Sequence, residues 1–215
     1  MALLELLHIL VLVYWLGGDL GAFVASRIVA DPARPPAGRA AAAKILMDVD
    51  MAPRMALIFA FPTGFALAVY ENWLPIDAIW IVPAFGLALI WALAAWMVHL
   101  KSGPEGLAKR IDMAIRLFAL IGFAGAGAAG LAGLIALPLF MAGKLFLLAL
   151  AVFAGLMIRR TLAPFGPAFG QIAAGQGDDA ANAIVRASLS KARIWVFVIW
   201  AAVLGAAALG VLQPV

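Results

Sequence analysis

The chain has 215 residues, of which 67% are hydrophobic and only 12% charged, with a formal net charge of +4 and a mean hydropathy of +1.09. Soluble domains are roughly half apolar and about a quarter charged, so this composition excludes an ordinary soluble domain and places the chain among all-α, polytopic membrane proteins. Cysteine is absent, which excludes a disulfide framework, a thiolate zinc site and a cysteine nucleophile.

A hydrocarbon core takes about 20 consecutive apolar residues per crossing. Six stretches reach that length, roughly 3–26, 51–71, 74–99, 115–136, 140–158 and 194–211. They predict a single transmembrane domain over residues 1–215, built as a six-helix bundle. The first stretch has Glu5 and no Lys or Arg in residues 1–7, unlike the basic start of a signal peptide, and reads as a retained span. At about 100° per residue, Glu5, His8, Leu12, Trp15, Asp19, Ala22 and Ser26 follow one helix face. An ionisable side chain facing lipid costs roughly 3 kcal/mol even on insertion scales. The stripe must therefore face protein, a bound group or a water cavity. Gly17, Gly18 and Gly21 lie beside it and allow a neighbouring backbone to come close.

The first connection contains ADPARPPAGRAAAAK, which predicts a Pro-rich turn followed by a short Ala-rich helix. After it, KILMDVDMAPRMALIF concentrates polar groups. Met47, Met51 and Met55 form a thioether ridge at four-residue spacing, Asp48 adds a carboxylate, and Asp50 and Arg54 stand as an i,i+4 pair. Thioethers suit Cu(I) or haem iron, and a methionine stripe also serves plain packing. Pro53, Pro62 and Pro83 sit within or at the ends of spans two and three and free backbone carbonyls there. His99 closes the third span, on the side of the methionine ridge and beside Lys101. With His8 near one face of a ~30 Å core and His99 near the other, these two cannot both be axial ligands of one haem.

KSGPEG punctuates the third connection. The fourth span holds LIGFAGAGAAGLAG, in which Gly122, Ala126 and Gly130 share one face and Gly125, Ala129 and Gly133 another. Such spacing brings backbones together, either within the chain or across a homodimer. Lys144 opens the fifth span at a depth similar to that of Glu5 and His8, where it holds an anionic group or reaches up to headgroups. Residues 159–193, with GPAFG and GQGDD as breakers, read as the longest loop.

Charge orients these spans. Arg27, Arg34, Arg39, Lys44 and Arg54 flank the first connection, Lys101, Lys109, Arg110 and Arg116 the third, and Arg159, Arg160, Arg186, Lys191 and Arg193 the fifth. All but Lys144 of the basic residues thus lie on one side, opposite Glu5, Glu71 and Asp77. The positive-inside rule then predicts periplasmic termini, cytoplasmic basic loops and a bacterial inner membrane location. Tyr70, Trp73 and Trp80 suit the outer interface, and Trp96 and Trp195 the inner one. The basic charge reads as a topology signal with contacts to the lipid bilayer, not as a nucleic-acid surface.

Soluble-enzyme chemistry finds no foothold. No Walker loop or HExxH motif is present, GDLGAF lies inside a span instead of between strand and helix, and a Ser–His–Asp triad finds no support in the sequence. No catalytic residue is assigned, and whether the chain is an enzyme stays open at this point.

Three segments resemble a known family. LHILVLVYWLGG, residues 7–18, resembles the first-helix pattern of the CopD and HemJ membrane-protein superfamily: His, a short apolar run, then Trp-x-Gly-Gly. MAPRMALIFAFPTG, residues 51–64, is similar to the HemJ second helix, Met-x-Pro-x-Met followed by Gly, and GKLFLLALAVFAGLMIRR, residues 143–160, to the Lys-initiated helix of CopD-type proteins. The resemblance implies roles for His8, Met51, Met55 and Lys144, in a divergent member with six spans. HemJ proteins contain haem b and are implicated in oxidising protoporphyrinogen IX; CopD proteins are associated with copper uptake.

Three functions follow as expectations. In the first, the chain binds haem b or a porphyrin, with His8 as ligand or proton acceptor, Trp15 beside the macrocycle and Lys144 on a propionate. In the second it is a copper permease, taking the ion at Glu5 and His8 and passing it along Met51 and Met55 toward His99. In the third it is a proton-coupled carrier or a structural subunit without cofactor, and Asp19, Asp50 and Arg54 belong to a polar relay or a packing device.

Overall fold

The computed structural model describes residues 1–100 and 106–213. Most of the KSGPEG breaker, with Lys101, lies outside the described residues. The elements in chain order are α1 (Ala2–Ala30), α2 (Pro36–Val49), α3 (Met51–Tyr70), a 3₁₀ turn (Ala78–Trp80), α4 (Ile81–Leu100), α5 (Leu107–Leu131), α6 (Leu139–Thr161), α7 (Phe165–Ala173) and α8 (Asp179–Leu212). No strand occurs among the described residues. Six helical stretches are long and apolar enough to cross a membrane: α1, α2 running into α3, the 3₁₀ turn with α4, α5, α6 and α8. The chain is a multi-pass membrane protein.

Local chemistry sets the helix ends. Pro35 and Pro36 open α2, where a missing amide and a fixed φ cost nothing. Pro53 has no amide to return to the carbonyl of Val49, four residues back, and the helix breaks at Asp50 between α2 and α3. The carboxylate of Asp77 accepts from the Ile79 amide at 2.8 Å and starts the 3₁₀ turn. Among the helix ends marked by a residue in the left-handed region are Asn72 after α3, Gly133 after α5 and Gly175 after α7. At each, two amides reach back to the last turn, as in Gly175 to Ile172 (3.0 Å) and Gln176 to Gln171 (2.9 Å).

The structure revises the fifth connection. Residues 159–193 are mostly helical, because α7 forms over the GPAFG stretch and α8 begins at Asp179. Phe165, Ala168 and Ile172 fall on one helix face; Ala168 and Ile172 are buried in an apolar cluster with Val29, Ala42, Ala43, Ala181, Val185 and Leu189, against which Phe165 packs. Only GQGD acts as a breaker. Gly177 presses on Ile172, and Asp178 caps α8 by accepting from the Ala181 amide at 2.7 Å.

The described chain divides into two compact units, residues 1–15, 54–152 and 202–215 forming the first and residues 16–53 and 153–201 the second. In the first, buried positions are dominated by alanine, among them Ala66, Ala68, Ala88, Ala95, Ala142, Ala149 and Ala151, while Leu3, Val82, Leu93, Phe118 and Ile121 are outside. Lipid is as apolar as leucine, so helices associate through small residues that let backbones approach. At Gly127 a Cβ would come within 2.7 Å of the Phe146 amide nitrogen, and at Gly130 within 2.7 Å of the Ala142 Cβ. These two glycines, three residues apart, seat α5 on α6. Gly130 is therefore occupied within the chain, whereas Gly122 and Gly125 meet nothing within 4 Å.

A buried ion pair joins α4 to α5. Arg116 Nε donates to Asp112 Oδ1 at 3.0 Å and to Oδ2 at 3.1 Å, and the Trp91 indole donates to Oδ1 at 2.9 Å. The guanidinium also lies over the Trp91 ring. In the second unit, Arg39 donates to the Val29 carbonyl at 2.9 Å and to the Asn182 side chain at 2.8 Å, holding the end of α1 to α2 and α8. Phe23 stacks obliquely on Phe197 and Trp200, with Arg27 and Arg193 over its ring.

Replacing Asp112 with Ala strands the Arg116 guanidinium among apolar groups and is expected to cost about 3–5 kcal/mol. Thermal unfolding in mild detergent should show a large fall in midpoint for this variant and none for Gly122→Ala.

Candidate functional site

The polar stripe of α1 turns inward. Trp15, Asp19 and Ser26 are buried, and Glu5, His8, Leu12 and Trp15 all line one cavity of about 500 Å³ in the first unit. The walls are otherwise mainly apolar, with Phe61 and Phe65 of α3, Trp73, Phe140 and Leu148 of α6, and Ala206 and Val211 of α8. Trp73 meets Phe140 edge-on at 5.1 Å and forms part of the wall.

His8 is fixed by a hydroxyl with a single proton. Its Nδ1 lies 2.8 Å from Thr63 Oγ1, and that hydroxyl donates to the Phe59 carbonyl one turn back at 2.6 Å. The Thr63 proton is thereby committed, so Oγ1 can only accept from the imidazole, and His8 carries its hydrogen on Nδ1. Nε2 keeps its lone pair as a ligand or proton acceptor. Gly64 makes room for the ring: a Cβ there would come within 3.1 Å of His8 Cε1. Pro62, the helix-interior proline of α3, directly precedes Thr63 and leaves the Ile58 carbonyl without its amide partner one turn on.

Lys144 brings a positive charge to the same cavity. Its ammonium rests on bare backbone at Gly210, where a Cβ would lie 2.6 Å from Nζ. Nζ forms no hydrogen bond or ion pair among the described residues. Glu5 lines the cavity but is exposed. An apolar cavity of this size, with a few convergent polar groups, has the form of a small-molecule site.

Comparisons with models of protein families, with curated proteins and with solved structures find no match to this chain. The site is therefore read from its own chemistry.

The remaining expected residues lie elsewhere. Met47 is exposed, Met51 buried and Met55 half-buried, and neither Met51 nor Met55 lines the cavity with His8. Met51 and Asp50 belong to the second unit, Met55 and Arg54 to the first. His99 is half-buried and meets Trp96 edge-on at 5.7 Å. Asp19 is buried with Oδ2 lacking a hydrogen-bond partner, near Asp50 and Trp200. Among the described residues no three His, Cys, Asp or Glu side chains converge.

Thr63, Gly64 and the aromatic walls escape sequence reasoning. A signal for Thr63 exists in its being the one aliphatic hydroxyl of α3, in the middle of an apolar run and directly after a proline and before a glycine. The Asp112–Arg116 pair is legible as an i,i+4 couple beginning a span, although only Arg116 draws notice there, as a topology charge.

Thr63→Val removes the acceptor of the His8 Nδ1–H. Imidazole ¹⁵N shifts of the detergent-solubilised protein should show one dominant Nδ1–H tautomer in the parent chain and a mixture in this variant.

Proposed function

We propose that the His8–Lys144 cavity binds a planar, largely apolar, anionic ligand of the porphyrin class, with haem b as the leading candidate. One observation carries the reading: a histidine whose Nδ1 is tied to Thr63 at 2.8 Å shares a mainly apolar cavity with an ammonium that forms no ion pair among the described residues. The residues fit such a group. A ligating histidine characteristically donates its other N–H to a fixed partner, here Thr63. Lys144 suits a propionate carboxylate, and Trp15, Phe61 and Phe65 offer flat apolar surface. A bound haem would supply electron-transfer or oxygen chemistry; the chain's own part is to present Nε2, neutralise a carboxylate and keep water out. The resemblance of residues 7–18 and 143–160 to the CopD and HemJ superfamily points the same way.

The copper reading needs Met51 and Met55 to work with Glu5 and His8, and the cavity lining holds neither methionine. Asp19 and Asp50 lie near each other within the second unit and take no part in this cavity. For the membrane, we infer cytoplasmic basic loops and periplasmic termini from the distribution of Lys and Arg, which puts the cavity in the outer half of a bacterial inner membrane.

Protein purified in mild detergent from haem-replete cells should show a Soret band. His8→Ala should abolish it, and Lys144→Gln should weaken haem retention roughly tenfold or more, in line with the loss of a charge-assisted contact. A colourless parent protein that takes up no added haem or porphyrin overturns the reading. The cysteine-free chain also permits a clean topology test: a single cysteine at Ala33 should be shielded from a membrane-impermeant thiol reagent in whole spheroplasts, and one at Asn72 labelled.

A further inference from the structure

A second cleft, of about 380 Å³, lies wholly within the second unit, between the end of α6, the turn leading to α7 and the early part of α8. Arg160, Thr161, Pro164, Ile184, Ser188 and Lys191 line it. The three α8 residues recur at spacings of four and three, so one helix face supplies an apolar, a hydroxyl and a cationic group in succession.

The polar groups are unusual in being uncommitted. Arg160 and Lys191 are exposed and form no ion pair among the described residues. Ser188 is 3% exposed, and its hydroxyl forms no hydrogen bond among the described residues. Thr161 is different, because its hydroxyl donates to the Ile158 carbonyl at 2.9 Å and offers the cleft lone pairs only. The cleft is lined mainly by apolar surface, and two cationic residues and one buried hydroxyl share that lining, a set that suits the tetrahedral oxyanion of an amphiphile.

Depth narrows the source. Arg160 and Thr161 end the 23-residue α6, and Lys191 precedes the apolar run 194–211 of the 34-residue α8. Both cations thus sit where their spans leave the hydrocarbon, at headgroup level. Ile184 and Pro164 add apolar surface beside them.

We propose that this cleft binds the phosphate of an anionic phospholipid headgroup, with Arg160 and Lys191 as its counter-charges and Ser188 as the buried donor. The site is distinct from the His8–Lys144 cavity and does not depend on what that cavity holds.

The test is native mass spectrometry of the whole protein released from nanodiscs containing phosphatidylglycerol and phosphatidylcholine in equal amounts, with a parallel arm in lipid-free detergent containing inorganic phosphate. The parent chain should retain phosphatidylglycerol preferentially. Arg160→Gln with Lys191→Gln should reduce that retention roughly tenfold, and Ser188→Ala should reduce it less. A control pair, Arg34→Gln with Lys44→Gln, removes the same charge from the first connection and should leave retention intact. Equal loss in both pairs would mean that diffuse basic charge, not this cleft, holds the lipid, and would overturn the proposal. So would a parent chain with no preference for phosphatidylglycerol. Adducts of inorganic phosphate that disappear in the Arg160/Lys191 pair, without lipid preference, would retain the phosphate chemistry but overturn the lipid as its source.

Discussion

A hydrocarbon interior neither donates nor accepts a hydrogen bond, and it offers helices no hydrophobic reason to associate. Both halves of that constraint are visible in the chain. Every polar side chain within a span has to find protein, and every helix contact has to come from close backbone approach. The first requirement turns the α1 stripe inward, so that Trp15, Asp19 and Ser26 are buried. The second gives interiors made of alanine and glycine, with leucine, isoleucine and phenylalanine on the outside.

Within this frame a few polar contacts carry most of the specificity. Thr63 is the clearest. Its proton serves the Phe59 carbonyl, so its lone pairs are left for His8, and one imidazole tautomer follows. Neither contact is strong by itself, since a neutral hydrogen bond contributes about 1 kcal/mol net. Their value lies in direction: the histidine keeps one nitrogen for the fold and offers the other to the cavity. Asp112 plays a comparable part between α4 and α5, where a single carboxylate accepts from both Arg116 Nε and the Trp91 indole.

The spans were legible because twenty apolar residues have few other uses, and the inward stripe because helical periodicity is rigid. The nearness of Glu5, His8 and Lys144 was read from depth, and all three line one cavity. Helices α7 and the start of α8 were not legible as such: glycine and proline usually punctuate, but here Gly175 and Gly177 serve a helix end and a tight approach, while Gly166, Pro167 and Gly170 stay inside a helix. The small-residue pattern of α5 was visible, yet of the two glycines that seat on α6, 127 and 130, only the second belongs to a four-spaced series. Spacing shows which residues share a face but not which face a neighbour chooses. Thr63 escaped because one hydroxyl in a span looks like ordinary tolerance until a partner 55 residues away is seen beside it.

Gly210 sits under the Lys144 ammonium with no side chain of its own, and a Cβ placed there would overlap Nζ at 2.6 Å. The lysine is the flexible member of this contact, so a methyl group at 210 would displace the amine and leave the helix where it is. The reach of the positive charge into the cavity is thereby set from the opposite helix. Chain variants differing only at this position would form a graded series in which the cation advances or retreats while its chemistry, and the histidine facing it, stay the same.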